Sequence, residues 1–235
     1  MVATTPPMAP FREILTCSYS FLGRTDSPEQ ACPLPVGFHP PRVGASIGIG
    51  IRSAASLAPT RYPLPMPTIR PAIAADLPGI LDIYNHAVLN TTASYDLEPV
   101  SLQSRQEWFA ARQKAGFPVL VAEHAGEVVG WATFGPFREK AGYALTAEHS
   151  VYVRHDQRGA GVGHALMDEL IERARARKLH ILLGVVDAEN AGSIRFHEGF
   201  GFRVAGRLSQ VGFKFGRWLD AVFLELRLDD ADAPQ

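Results

Sequence analysis

Cysteine is nearly absent from this chain, with 2 in 235 residues, Cys17 and Cys32. Two thiols are too few for a disulfide framework, and no Cys/His cluster has zinc-ligand spacing, so no metal is expected. An excess of one charge sign is also missing. The formal net charge of −1 gives no bulk electrostatic case for nucleic acid as a partner. No apolar run approaches the roughly 18 residues of a membrane helix, and no secretory signal of the charged, apolar, small-residue kind is visible. Internal repeats are absent too. What remains is ordinary for a globular protein, with 46% apolar and 20% charged residues. The length suits one domain of common size plus something extra, or two small domains.

Residues 1–65 contain no lysine, five arginines, and only Glu13, Asp26 and Glu29 as acids. Of 18 prolines, 11 lie at or before Pro65. Such a segment buries too little apolar surface to offset its ordering entropy. It is expected to be a disordered extension, or translated sequence ahead of a start at Met66. An Arg-rich transit peptide is the competing expectation, and the prolines weigh against its amphipathic helix. A folded domain is expected over 66–230, with a tail at 231–235.

From Met66 the text becomes periodic. Thr68-Ile69-Arg70 reads as a short strand. Asp76 is expected to cap a helix to about Leu89, with Leu77, Ile80, Leu81, Tyr84 and Val88 on one stripe. Ser101 to Lys114 reads as a second helix carrying Trp108 and Phe109. Val119–Glu123 and Val128–Phe134 form a hairpin. Gly135–Ala147 shows no period and reads as a loop. Ser150–Val153 is a strand, followed by a glycine-rich turn and a helix from about Gly163 to Arg177. Its face carries Leu166, Met167, Leu170, Ile171 and Ala174. Ile181–Val186 has the continuous apolar character of a buried strand. A short helix over about Ala191–Glu198 and strands at Arg203–Val211 and Leu219–Leu228 complete the domain. The order predicts an α/β fold with a mixed sheet.

The turn Gln157-Arg158-Gly159-Ala160-Gly161-Val162-Gly163 is the chemically most specific text. A strand, a glycine turn and a helix N-terminus together make an anion site. Gly159, Gly161 and Gly163 admit positive φ and close approach of a phosphate. The turn is not a Walker loop, because Gly159 is followed five residues later by His164 and not by Gly-Lys. Nor does it have the third glycine of a dinucleotide fingerprint. It spells Arg158-x-x-Gly161-x-Gly163.

That spacing resembles the pyrophosphate loop of the GNAT acetyltransferases. The stretch from Ile69 to Leu228 is similar in particular to the phosphinothricin and methionine sulfoximine/sulfone N-acetyltransferases. The resemblance is carried by Tyr84-Asn85-His86, Asn90-Thr91-Thr92-Ala93, Gly116-Phe117-Pro118-Val119 and Glu148-His149-Ser150-Val151-Tyr152-Val153. It continues in Ser193-Ile194-Arg195-Phe196-His197-Glu198 and in Gly212-Phe213-Lys214-Phe215-Gly216-Arg217-Trp218-Leu219-Asp220. Residues 1–65 have no counterpart in it. It implies the GNAT fold, α+β by some schemes, whose mostly antiparallel central sheet is flanked by helices and has a splayed fourth and fifth strand. It also implies acetyl-CoA as co-substrate, a small-molecule amine as acceptor, and a cytoplasmic homodimer.

Site residues follow from the same resemblance. The backbone of Gly159, Ala160, Gly161, Val162, Gly163 and His164 is expected to bind the pyrophosphate. Arg158 either adds charge there or is a solvated side chain. Val151, Tyr152 and Val153 are expected to pair with the pantetheine as an added strand would. Asn190 contacts the cofactor in the family, or is a plain helix N-cap, or both. Glu148, placed at the opening of its strand, corresponds to the proposed general base. The bland alternative is a surface carboxylate at a strand end. His197 corresponds to a histidine proposed to act with that glutamate, or is a structural residue. The helix that often supplies a tyrosine to protonate the leaving thiolate has Phe196 instead. Arg138 is the cation expected to hold an acceptor carboxylate, with Gly142 and Tyr143 at family-like positions. Tyr95, Phe137 and Phe134 are candidates for an apolar wall, Phe134 being better explained as core. Ala144-Leu145-Thr146 departs from the more polar stretch of near relatives. The acceptor implied is the α-amine of a small amino-acid analogue. A peptide or protein N-terminus or a polyamine is the alternative acceptor, and a non-catalytic acyl-CoA-binding module is the alternative of another class.

Overall fold

The computed structural model describes residues 67–229. The expected extension over 1–65, Met66, the two cysteines and the tail at 231–235 lie outside them. Among the described residues the chain forms seven strands and four α-helices. Strand β1 (Thr68–Pro71) precedes α1 (Leu77–Asn90) and α2 (Leu102–Lys114). Then come β2 (Val119–His124), β3 (Glu127–Pro136), β4 (Thr146–Val153), α3 (Val162–Ala176), β5 (Ile181–Asp187) and α4 (Ala191–Gly199). The last pair is β6 (Arg203–Lys214) and β7 (Arg217–Arg227). They build one sheet in the order β1-β2-β3-β4-β5-β7-β6. Every neighbouring pair is antiparallel except β4 and β5, which are parallel.

Two-residue turns make the hairpins. Ala125 and Gly126 have φ of 51° and 81°, the doubly left-handed geometry that matches strand twist. The β6–β7 turn repeats this with Phe215 and Gly216 at 51° and 74°. A bulky residue rarely takes positive φ, so the sequence pattern does not announce this turn. The strands accordingly run closer to it than the spacing predicts.

The alternation of side chains sends each strand's residues to two separate cores. One face packs under α3 and α4, where Val151 and Val153 meet Leu166, Met167, Leu170 and Phe196. Burial of each such leucine contributes roughly 2 kcal/mol. The other face packs under α1 and α2, where Val121, Trp131 and Tyr152 meet Ile80, Tyr84, Val88 and Phe109. The predicted apolar stripes of α1 and α3 are the buried ones, with Leu81 half-buried.

Two expectations need correction. Asp76 stands at the N-cap of α1 but makes no side-chain capping bond there. Its carboxylate instead accepts from Arg70 at 2.7 and 2.8 Å and from the Ile73 amide at 2.7 Å. This charge-assisted pairing holds its pKa below the ordinary value, the Arg70 bond contributing most. Residues 135–147 are not all loop. β3 continues to Pro136 and β4 begins at Thr146, paired as Gly135↔Glu148 and Pro136↔Ala147. A strand whose inward positions are glycine and glutamate leaves no apolar period to read. Glu148 is therefore the third residue of β4 and does not open it.

The sheet is split at one place. β4 and β5 pair at Thr146↔Ile181, Ala147↔Leu182 and Glu148↔Leu183, and there the ladder stops. β3 follows β4 on to Val153, and β7 follows β5 on to Asp187. Beyond Glu148 the two strands no longer pair with each other, which leaves a gap between them. From the α1/α2 face, the segment after α1 reaches across. Tyr152 donates its hydroxyl to the Ala93 carbonyl at 3.3 Å, and Lys214 donates to the Ser94 carbonyl at 2.6 Å. Tyr95 closes on Gly212 and donates to the Asp220 carbonyl at 3.3 Å.

Candidate active site

A cavity of about 1260 Å³ opens on the α1/α2 face, beside the vertex of the gap. Its floor is the pleat of β3 and β4. Trp131, Thr133 and Gly135 come from one strand, and Glu148 and Ser150 from the other. Helix α2 supplies Arg105, Trp108 and Arg112, and the loop after β3 supplies Phe137, Arg138 and Tyr143.

Glu148 is the chemically decisive group. It is the last β4 residue paired with β5, it is 8% exposed, and its Oε2 has no hydrogen-bond partner. Burial pushes its pKa up to about 7, against the pull of the nearby Arg138 and Arg112 guanidinium groups. A carboxylate with that pKa takes a proton far more readily at neutral pH than an ordinary one.

Arg138 lies exposed on the loop, with its guanidinium carbon 4.9 Å from the Phe137 ring centre. Tyr143 meets Phe137 edge-on at 5.6 Å. Both line the cavity, whereas Gly142, between them in the turn Ala141–Tyr143, does not. Phe137 is a wall residue, Phe134 is fully buried core, and Tyr95 is packed on Gly212 away from the cavity.

Sequence reasoning missed Arg105 and Arg112. Arg105 is 6% exposed, with its guanidinium carbon 4.2 Å from the Tyr84 ring and 4.7 Å from that of Trp108. Arg112 lies against Gly135, where the guanidinium carbon would be 2.6 Å from a Cβ built on that glycine. The available signal was the spacing of Arg105, Trp108 and Arg112, which puts all three on one helical face.

On the far side of the gap the arrangement suits an anionic, extended ligand. Gly161 caps α3 with φ of 83°, and Gly159 has φ of 77°. The first bond of the helix is Ala165 N–H to the Gly161 carbonyl. The amides of Val162, Gly163 and His164 therefore precede the ladder at the positive end of a helix dipole. Ala160 completes this turn. The His164 ring rests near Phe196 and Phe200 at 5.1 and 5.4 Å. The side chains of Val151 and Val153 point into the α3 core, and that of Tyr152 into the opposite one. What these residues offer the gap is backbone. Asn190 follows the open end of β5 and caps α4, accepting from the Ser193 amide at 3.0 Å.

The predicted partnership of Glu148 and His197 is not assembled by hydrogen bonding. Neither Glu148 Oε2 nor His197 Nε2 has a partner. His197 is fully buried beside His149 and Phe202, at 5.1 and 5.2 Å between ring centres. His149 and Glu148 are neighbours on one strand and so point to opposite faces. His197 Nδ1 lies 2.7 Å from the Ser193 carbonyl, which makes Nδ1 the protonated nitrogen and Nε2 an acceptor. Burial pushes its pKa down to about 4, and burial also lowers that of His149. Both rings crowd Gly184. A Cβ there would lie 2.8 Å from one Nε2 and 2.9 Å from the other.

Comparison with known proteins agrees with this geometry. The model of the acetyltransferase (GNAT) family matches residues 80–202. The L-methionine sulfoximine/L-methionine sulfone acetyltransferase of Pseudomonas paraeruginosa (strain DSM 24068 / PA7) is 54% identical over 163 residues, covering 69% of this chain and 95% of that protein. The phosphinothricin N-acetyltransferase of Streptomyces coelicolor is 36% identical, covering 67% of this chain and 94% of that one. Among solved structures, a putative acetyltransferase from Salmonella typhimurium with its cofactor acetyl-CoA superposes with a TM-score of 0.70 at 46% identity. The match covers 72% of this chain and 97% of that chain.

Proposed function

The chain belongs to the acetyltransferase (GNAT) family and is an N-acetyltransferase; we propose that it uses acetyl-CoA to acetylate the α-amine of a small amino-acid analogue of the methionine sulfone, methionine sulfoximine or phosphinothricin type. The observation that carries this is Glu148, a buried carboxylate with a pKa of about 7 at the vertex of the gap, in a cavity also lined by Arg105, Arg112 and Arg138. The names of the relatives support the same acceptor class.

The residues fit the cofactor. From Glu148 to Val153 is roughly 16 Å of strand, which suits an extended pantetheine arm lying along the edge of Val151, Tyr152 and Val153 that faces β5. The amides of Gly159 to His164 would hold the pyrophosphate at the open end, and Asn190 flanks it from β5. Acetyl-CoA supplies an electrophilic carbonyl and a good leaving thiolate. Glu148 attracts the acceptor's ammonium and takes its proton at a carboxylate oxygen, so that nitrogen becomes a nucleophile. A backbone N–H of β4 beyond Glu148 would polarise the carbonyl. Phe196 cannot return a proton to the thiolate, and a thiolate leaves without one. His197 is assigned to this site as a neutral acceptor behind the vertex. Arg138 and Tyr143, with Gly142 in the turn between them, supply the acceptor side. A homodimer joined through the outer hairpin, where Val204, Leu208, Phe213 and Trp218 are exposed, belongs to the same proposal.

A thiol-release assay with acetyl-CoA tests the reading. Turnover is expected on methionine sulfone, methionine sulfoximine or phosphinothricin, and faster than on an N-terminal peptide or a polyamine. Binding of acetyl-CoA without turnover of any amino-acid analogue would overturn it.

A further inference from the structure

Arg112 lies against a strand glycine on the cavity floor, beside Glu148. It reaches from α2 across the cavity floor and lays its guanidinium on the Cα of Gly135, between the rings of Trp108 and Phe117 at 5.8 and 5.9 Å. Gly135 is the cross-strand partner of Glu148. Side-chain positions of such a pair lie about 5 Å apart. The guanidinium therefore occupies the place of the side chain that would stand next to Glu148. Any residue larger than glycine at 135 would evict it.

We infer that Arg112 is the seat for the acceptor's α-carboxylate, set beside Glu148 so that one amino acid engages both. This rests on the acceptor class proposed above. In an α-amino acid the nitrogen and the carboxylate hang from the same carbon. An ammonium presented to Glu148 brings its carboxylate to the neighbouring floor position, where the planar fork of Arg112 meets two oxygens in parallel. Arg112 is half-buried on a helix, whereas Arg138 is exposed on a loop and stacked on Phe137. Fixed geometry is needed at the end of the acceptor that reacts, and helix-borne groups provide it better than loop-borne ones. Arg138 then faces the far end of the acceptor, the sulfone, sulfoximine or phosphinate head. The two cations divide one molecule between them.

The test uses the full chain, saturating acetyl-CoA, and two acceptors: methionine sulfone and 3-(methylsulfonyl)propylamine, which keeps the amine and the sulfone and lacks the carboxylate. The parent is expected to prefer the first. Arg112→Gln and, independently, Gly135→Ala are expected to lower kcat/KM on methionine sulfone by about 10- to 100-fold. Removing Arg112 also lifts its pull on Glu148, so each acceptor is read at its own pH optimum, and the ratio of kcat/KM on methionine sulfone to that on the carboxylate-free amine is expected to fall by the same factor of about 10- to 100-fold. Equal losses on both acceptors, or undiminished preference in Arg112→Gln, would overturn the seat. A parent active on methionine sulfone alongside either result leaves the acceptor class standing. A parent inactive on every amino-acid analogue overturns both.

Discussion

The two faces of the sheet at the gap treat ionisable groups in opposite ways. On the α1/α2 face, Glu148 sits in an open cavity beside Arg112 and Arg138, with burial raising its pKa to about 7. On the α3/α4 face, His149 and His197 are packed dry against Phe202, and burial drives both toward the neutral form. Consecutive residues of one strand, Glu148 and His149, belong to these different worlds. A strand divides its neighbours by its pleat, so one rung of backbone separates a proton-accepting cavity from a buried layer of neutral imidazoles. Desolvation is the dominant cause on both faces. Its consequence differs because a carboxylic acid is neutral when protonated and an imidazole is neutral when not.

The largest break in that contrast is expected from Glu148→Gln. Removing the base should lower kcat at neutral pH by about 100- to 10,000-fold, with acetyl-CoA affinity nearly unchanged because the phosphate amides lie at the other end of the gap. Full activity in steady-state assays would remove Glu148 as the base. The same variant sharpens the comparison through stability. The folded chain holds the Glu148 proton more tightly than the unfolded chain does, so this group makes stability fall as pH rises from the ordinary carboxylate range to about 7, with no further loss above that. Glutamine has no charge to desolvate. At pH 8 the variant is therefore expected to exceed the parent by up to about 3 kcal/mol, with the difference vanishing near pH 4. Chemical denaturation at the two pH values measures this. The smallest effect belongs to the other face. Gly184→Ala puts a methyl group against both imidazoles and should cost about 1–3 kcal/mol of stability. Acceptor KM should not move, since the cavity lies across the sheet. An unchanged melting temperature would show that the imidazole layer is loose.

What could be read in the sequence divides along the same line. The glycine turn was legible because its geometry is local. Gly159 and Gly161 are needed for their own backbone angles, and the helix that follows is adjacent in the chain. The stripes of α1 and α3 were legible for the same reason, as successive turns of one helix. Glu148 could be recognised as a residue but not as a position. That its ladder to β5 ends there depends on its partner Leu183, 35 residues further along the chain. Arg112 was invisible because its meaning resides in Gly135, and a glycine in a strand looks like a weakness until something is seen to occupy the space. Asp76 misled because a helix N-cap and an ion-pair partner call for the same side chain, and only the distant Arg70 distinguishes them.

The segment that crosses the gap is held at Ser94 and Tyr95 by residues 120 and 125 positions further along the chain. Lys214, the amino group that grips Ser94, is only 4% exposed. During synthesis, everything up to α4 can leave the ribosome while this clasp is still inside it. The segment after α1 thus waits on the final hairpin, and a nascent chain has its glycine turn long before Ser94 and Tyr95 are clasped. Truncation ahead of Arg203 would strip off Lys214 and Asp220, and so the clasp, along with both strands of the hairpin.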